Sequence, residues 1–99
     1  MPKFKEESDV SIELKEPAKY KVVLHNDDYT SMDFVVDILM RIFYKNYEEA
    51  QRIMLQVHEN GKAICGVYSF EIAQTKAQQV KQLAKQSGFP LLATIEEDI

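Results

Sequence analysis

The chain has 99 residues, a formal net charge of −4 and a single cysteine, Cys65. The length suits one small domain, and a lone cysteine excludes an internal disulfide. The acidic balance disfavours nucleic acid as a partner, because phosphate contacts need clustered basic side chains. No apolar run approaches the roughly eighteen residues of a membrane span, and the N-terminus lacks the apolar segment of a signal peptide. We therefore expect a cytoplasmic protein with no membrane segment.

Residues 1–17 differ in composition from the rest of the chain. They are rich in charge, show no sustained apolar period and end at Pro17. Such a segment is typical of a flexible arm, so we expect the folded domain to occupy residues 18–99. The β-branched and apolar residues from Tyr20 to His25 predict the first strand.

Two helices are predicted after this strand. The segment TSMD fits a capping box, with Thr30 as the N-cap and Asp33 reaching back to it. Apolar residues then recur at intervals of three and four over residues 35–43, the pattern of an amphipathic helix. Asn46 is the expected cap of a second helix, which Gly61 should end.

The remaining elements follow in the same way. KAICGVY alternates and predicts a second strand, Ser69 caps a third helix that Gly88 ends, and PLLATIE predicts the last strand. The order is β-α-α-β-α-β. The sequence therefore predicts an α+β fold with one three-stranded sheet and three helices on one face.

The segment HNDDY, directly after the first strand, places polar side chains where a strand gives way to a helix. In an extended chain Asn26 and Asp28 share a face and Asp27 points elsewhere. If the second helix packs beside this strand end, His58 joins them and three hydrogen-bond acceptors converge, which suits the three donors of an ammonium group. The residues expected around this point are Thr30, Met32, Met54 and Val57.

Three separated segments then carry a family resemblance. NDDYTSMDFV, LQVHENGKAICGVYS and FPLLATIEED have the order and spacing of the ClpS family, so the chain resembles these bacterial adaptors of the N-end rule over residues 18–98. The resemblance implies an antiparallel sheet, as in the C-terminal domain of the ribosomal stalk protein. It also implies a monomeric adaptor with no enzymatic activity and no cofactor. Such adaptors bind proteins that begin with leucine, phenylalanine, tyrosine or tryptophan, and deliver them to a Clp AAA+ unfoldase of the ClpA or ClpC type for degradation by ClpP.

The resemblance also implies roles for individual residues. Asn26, Asp28 and His58 would bind the substrate's α-amino group, and Asp27 and Thr30 would line the mouth and contact the following peptide. Contacts with the unfoldase would fall at Glu71 and Lys76. The residues expected to form the side-chain pocket are Leu24, Met32, Val35, Met54, Val57 and Leu91.

Each of these residues also has a purely structural interpretation. The acids are compatible with helix capping, the apolar residues with an ordinary core, and Glu71 and Lys76 with solvated positions on a helix. Two other functions stay open at this point. One is a metal-dependent hydrolase using His25, His58 and the neighbouring acids, although no metal-binding motif supports it. The other is an interaction domain of the stalk type that uses helix surfaces and has no pocket.

Overall fold

The structure, a computed structural model, describes residues 17–99. Its elements are β1 (Lys19–His25), α1 (Met32–Arg41), α2 (Tyr47–Asn60), β2 (Lys62–Tyr68), α3 (Phe70–Ser87) and β3 (Leu92–Asp98). The predicted order of strands and helices is confirmed. The predicted arm lies outside the described residues except for Pro17.

The three strands form one antiparallel sheet in the order β2-β1-β3. The pairing of β1 with β2 is regular except at one point, where Val22 is opposite Gly66 and Val23 is opposite Ile64. Cys65 is therefore the extra residue of a β-bulge. Its side chain is buried, and this burial raises the pKa of the Cys65 thiol to about 12.

The hydrophobic core lies between the sheet and the helices. Val22 and Leu24 of β1 are fully buried in it, together with the apolar rows of α1, α2 and α3. Val23 points to the other face of the sheet, where Lys21 and Ile64 are its neighbours. The alternation of β1 thus places all three helices on one face, as predicted.

The helix ends are those predicted from the capping residues, with one exception. Asn46 and Ser69 cap α2 and α3, and Gly61 and Gly88 end them in left-handed conformations, as expected. The prediction that Thr30 caps α1 is wrong. The cap is Ser31, whose hydroxyl accepts a hydrogen bond from the backbone N–H of Phe34 at 3.1 Å.

Two element boundaries also differ from the prediction. The last strand begins at Leu92 rather than Pro90, and it continues to Asp98 because it pairs with β1 as far as Lys19. The first helix ends at Arg41, although Phe43 beyond it is still buried. Within residues 17–99, no helix has the length and apolar character needed to cross a membrane.

Candidate functional site

The loop after β1 is held against the end of α2 by backbone hydrogen bonds. The N–H of Asn26 donates to the carbonyl oxygen of Gly61 at 2.8 Å, and the N–H of Gly61 donates to the carbonyl of Val57 at 3.0 Å. His58 lies in the last turn of the same helix. The loop that carries Asn26 and Asp28 is therefore tied to the helical turn that carries His58.

A cavity of about 250 Å³ opens at this junction. It lies between the loop, the start of α1 and the last turns of α2. Its lining residues are Asn26, Asp27, Asp28, Thr30, Met32, Val35, Met54, Val57 and His58. The structure thus brings the three expected acceptors together beside four of the six residues expected to form an apolar pocket.

Polar and apolar residues occupy different parts of this cavity. Asn26, Asp28 and His58 are exposed and form its rim. Below them Val35 and Met54 are 6% exposed and Val57 only 2%, while Met32 at the edge is 45% exposed. No lysine or arginine lines the cavity, so its carboxylates have no basic partner there. A cation with several N–H donors and an apolar side chain matches this arrangement.

Asp27 behaves differently from its neighbours because its carboxylate is bonded within the loop. One oxygen, Oδ1, accepts the backbone N–H groups of Tyr29 at 2.8 Å and Thr30 at 2.7 Å. The other, Oδ2, accepts the hydroxyl of Thr30 at 2.7 Å. Burial raises the pKa of Asp27, but these hydrogen bonds outweigh it and leave the pKa lowered. The carboxylate is therefore charged at neutral pH and already bonded.

Comparison with known proteins places this geometry in a family. The family described as ATP-dependent Clp protease adaptor protein ClpS matches residues 15–94. The chain belongs to the ClpS family.

Relatives of known sequence and structure match over nearly the whole chain. The ClpS adapter of Wolinella succinogenes is 51% identical over 94 residues, which cover 95% of this chain and 92% of the relative. That of Shewanella pealeana is 54% identical over 91 residues, covering 92% and 89%. The structure of Agrobacterium tumefaciens ClpS2 bound to L-phenylalaninamide superposes with a TM-score of 0.82 at 40% identity, covering 84% of this chain and all of that one. The predicted resemblance and fold are confirmed, and the family is one of protease adaptors.

Two residues that the ClpS resemblance assigns to the pocket do not line this cavity. Leu24 is fully buried in the core beneath the helices. Leu91 is 6% exposed and borders a different groove, between α3 and β3. Phe89 also borders that groove and packs against Phe34, with ring centroids 4.9 Å apart.

The two residues expected to contact an unfoldase have different surroundings in this ClpS-family chain. Glu71 is exposed in the first turn of α3. The Lys76 ammonium donates to the carbonyl oxygen of Ile42 at 2.7 Å, just past the end of α1. It also lies 4.7 Å from the ring centroid of Tyr44 and 5.3 Å from that of Tyr68. Lys76 is thus fixed by intramolecular contacts.

One contributor to the site could not be read from the ClpS-like motifs. Gly61 was identified only as the end of a helix, yet its carbonyl oxygen holds the loop at Asn26. A backbone group leaves no signal in side-chain chemistry, so only the folded chain reveals it. Among residues 17–99 there is no cluster of three or more histidine, cysteine, aspartate or glutamate side chains that would hold a metal ion.

Proposed function

We propose that this chain binds the free N-terminal α-amino group and the large apolar first residue of N-degron proteins. By the same proposal it delivers them, as a monomeric adaptor, to a Clp AAA+ unfoldase of the ClpA or ClpC type for degradation by ClpP. The observation that carries the proposal is the cavity at the β1–α1 junction, where three acceptors stand over an apolar floor and no lysine or arginine is among the lining residues.

The amine fits the rim because each acceptor has a defined chemistry. Asn26 offers an amide oxygen, Asp28 a charged oxygen and neutral His58 a ring nitrogen, so the three N–H bonds of an ammonium each find a partner. Charge-assisted hydrogen bonds contribute roughly 1.5–3 kcal/mol each. An internal peptide amide has one donor and no charge, and it would leave two of the three acceptors without a donor. The rim therefore selects a chain terminus.

The first side chain fits the floor formed by Val35, Met54 and Val57. Burying a leucine or phenylalanine side chain contributes about 1.5–3 kcal/mol. Association opposes binding by roughly 4–15 kcal/mol, so the net affinity should be modest, on the order of micromolar, as suits a carrier that releases its cargo. The similar Agrobacterium protein binds L-phenylalaninamide, which combines a free α-amine with an aromatic side chain.

Delivery requires a second surface, for which the family suggests the start of α3. We assign Glu71 and Lys76 to the unfoldase contact as part of the same proposal. They are five positions apart, which is about 140° around an α-helix, so they do not share one face of α3. A partner that contacts both would approach the junction of α3 with the α1–α2 turn.

The proposal is tested by titrating fluorescent peptides that differ only at their first position. Peptides beginning with leucine or phenylalanine should bind, those beginning with isoleucine should bind much more weakly, and an acetylated leucine peptide should not bind. Asp28→Ala should weaken binding of the leucine peptide roughly ten- to hundred-fold, since it removes a charge-assisted hydrogen bond. Asp37→Ala is the matched control, because Asp37 lies outside the cavity and pairs with Arg41. Tight binding of the acetylated peptide would disprove the amine site.

A further inference from the structure

We infer that Asp27 is a positioning residue, which acts through Thr30 to fix the loop that presents the amine acceptors and does not itself bind the amine. This inference rests on the proposed function and deepens it. The sequence interpretation assigned Asp28 to the amine and placed Asp27, with Thr30, at the mouth in contact with the following peptide. The structure separates them, because only Asp27 has its carboxylate bonded within its own loop.

Most of the hydrogen-bonding capacity of the Asp27 carboxylate is used within its own loop. A carboxylate offers about four lone-pair sites. Three of them receive hydrogen bonds from Tyr29 and Thr30, at 2.7–2.8 Å. One site, on Oδ2, is left for an incoming amine, so Asp27 has far less accepting capacity to offer than an unbonded carboxylate. Asp28 is exposed at the rim of the same cavity. The Asp28 carboxylate takes no part in the loop hydrogen bonds that Asp27 accepts.

These three hydrogen bonds hold the turn between β1 and α1 in place. They close a turn over residues 27–30 that contains Asp28 and directly follows Asn26, whose own N–H is fixed by Gly61. The turn is followed at once by Ser31, the N-cap of α1. Asp27 therefore sets the direction of two acceptors and the position at which Met32 begins the helix.

Thr30 provides the side-chain hydrogen bond that closes this turn. Its hydroxyl donates to Asp27 at 2.7 Å, so its polar atom points into the turn. Thr30→Val removes the hydroxyl and keeps the shape of the side chain, whereas Thr30→Ser keeps the hydroxyl. If the hydroxyl acts through Asp27, serine should restore what valine loses. The same substitutions in a residue that packs against the peptide through its methyl group would give the opposite order.

The experiment is a double-mutant cycle on the full chain, read by the affinity for a peptide with N-terminal leucine. Asp27→Ala should weaken binding at least ten-fold and Thr30→Val roughly five- to ten-fold, while Thr30→Ser should recover most of the affinity. Asp27→Ala/Thr30→Val should be within about three-fold of Asp27→Ala alone, because both changes remove the same hydrogen bond. Losses that multiply in the double variant would mean that the two residues contact the peptide independently, and would overturn the inference.

Two further measurements separate positioning from other causes. Urea unfolding gives the folded fraction of each variant; a role limited to stability would lower the free energy of unfolding and leave the affinity of the folded fraction unchanged, which would refute positioning. Asp27→Asn keeps an oxygen for the two backbone N–H groups and should bind more tightly than Asp28→Asn. Equal losses in these two variants would show that the charge of Asp27 meets the amine directly. If Asp27→Ala does not fold, the comparison of Thr30→Val with Thr30→Ser tests the inference by itself.

Failure of the inference is distinct from failure of the proposed function. The proposed function fails if the wild-type chain does not discriminate between free and acetylated peptides. The inference fails if the wild type discriminates but the cycle shows no coupling between Asp27 and Thr30. Both comparisons use the same peptides and the same conditions.

Discussion

Replacing Lys76 by methionine should destabilise the fold, whatever part this residue plays in delivery. The substitution removes the ammonium and keeps a flexible apolar side chain that still packs against aromatic rings. What it loses is the hydrogen bond to Ile42 and the cationic contacts with the Tyr44 and Tyr68 rings. Lysine at this position therefore joins α3 to the end of α1.

The magnitude follows from these contacts. A hydrogen bond from a charged group contributes roughly 1.5–3 kcal/mol and a partly exposed cation–π contact about 0.5–1 kcal/mol. Lys76 is half-buried, so water screens part of both. We expect Lys76→Met to lower the free energy of unfolding by about 2 kcal/mol, which corresponds to a fall in Tm of roughly 8–16 °C for a domain of this size.

The assay is urea and thermal unfolding followed by circular dichroism. Lys81→Met is the matched control, because Lys81 is an exposed lysine in the middle of the same helix and the two variants change the net charge equally. If Lys76→Met unfolds within about 0.5 kcal/mol of Lys81→Met, the contacts with Ile42 and the rings do not stabilise the fold. The residue would then be available to a partner as an ordinary surface charge.

Three further outcomes are expected. Met32→Ala should bind peptides that begin with isoleucine or valine, since Met32 lines the cavity edge and would meet the extra methyl group on the β-carbon of such a residue. If the variant still fails to bind both peptides in a fluorescence titration, another residue excludes β-branched side chains. His58→Ala should weaken binding of a leucine peptide roughly ten-fold, because it removes one of the three acceptors on the rim; unchanged affinity in the same titration would exclude His58 as an acceptor. Burial raises the pKa of Cys65 from 9.0 to about 12, so the stability contributed by its neutral thiol is complete below pH 9.0 and lost towards pH 12. Over this interval the free energy of unfolding of the wild type should fall relative to that of Cys65→Ala. Parallel plots of unfolding free energy against pH for the two proteins would contradict the shift.

Most of the fold could be predicted because its signals are local. The periods of apolar residues identify every strand and helix, and Asn46, Ser69, Gly61 and Gly88 mark helix ends by their own conformational preferences. The start of α1 was mispredicted because two adjacent hydroxyl residues, Thr30 and Ser31, both suit an N-cap. Only the competition of Asp27 for Thr30 decides between them.

The cavity was also predicted in large part, since every residue that lines it was named from the sequence. Leu24 and Leu91 were expected there as well, but they are apolar residues with no feature in the sequence that separates cavity wall from core. Burial in the folded chain makes that distinction: the helices cover Leu24 completely, and Leu91 lies beside the groove between α3 and β3.

The sequence by itself determined which chemical groups are available: three acceptors near one strand end, apolar residues around them, and a periodicity that forces an α+β fold. Only the tertiary structure decided which of these groups are free. Asp27 and Asp28 are chemically identical neighbours, yet one is bonded to Thr30 and the other stands at the cavity rim. Lys76 and Lys81 differ in the same way, since Lys76 donates a hydrogen bond to Ile42 and Lys81 is exposed on the same helix. The physical reason is that a hydrogen bond depends on which partner comes within about 3 Å. Chain folding brings Ile42 to Lys76 from 34 positions away, and the conformation of a turn brings Thr30 to Asp27; residue types alone specify neither.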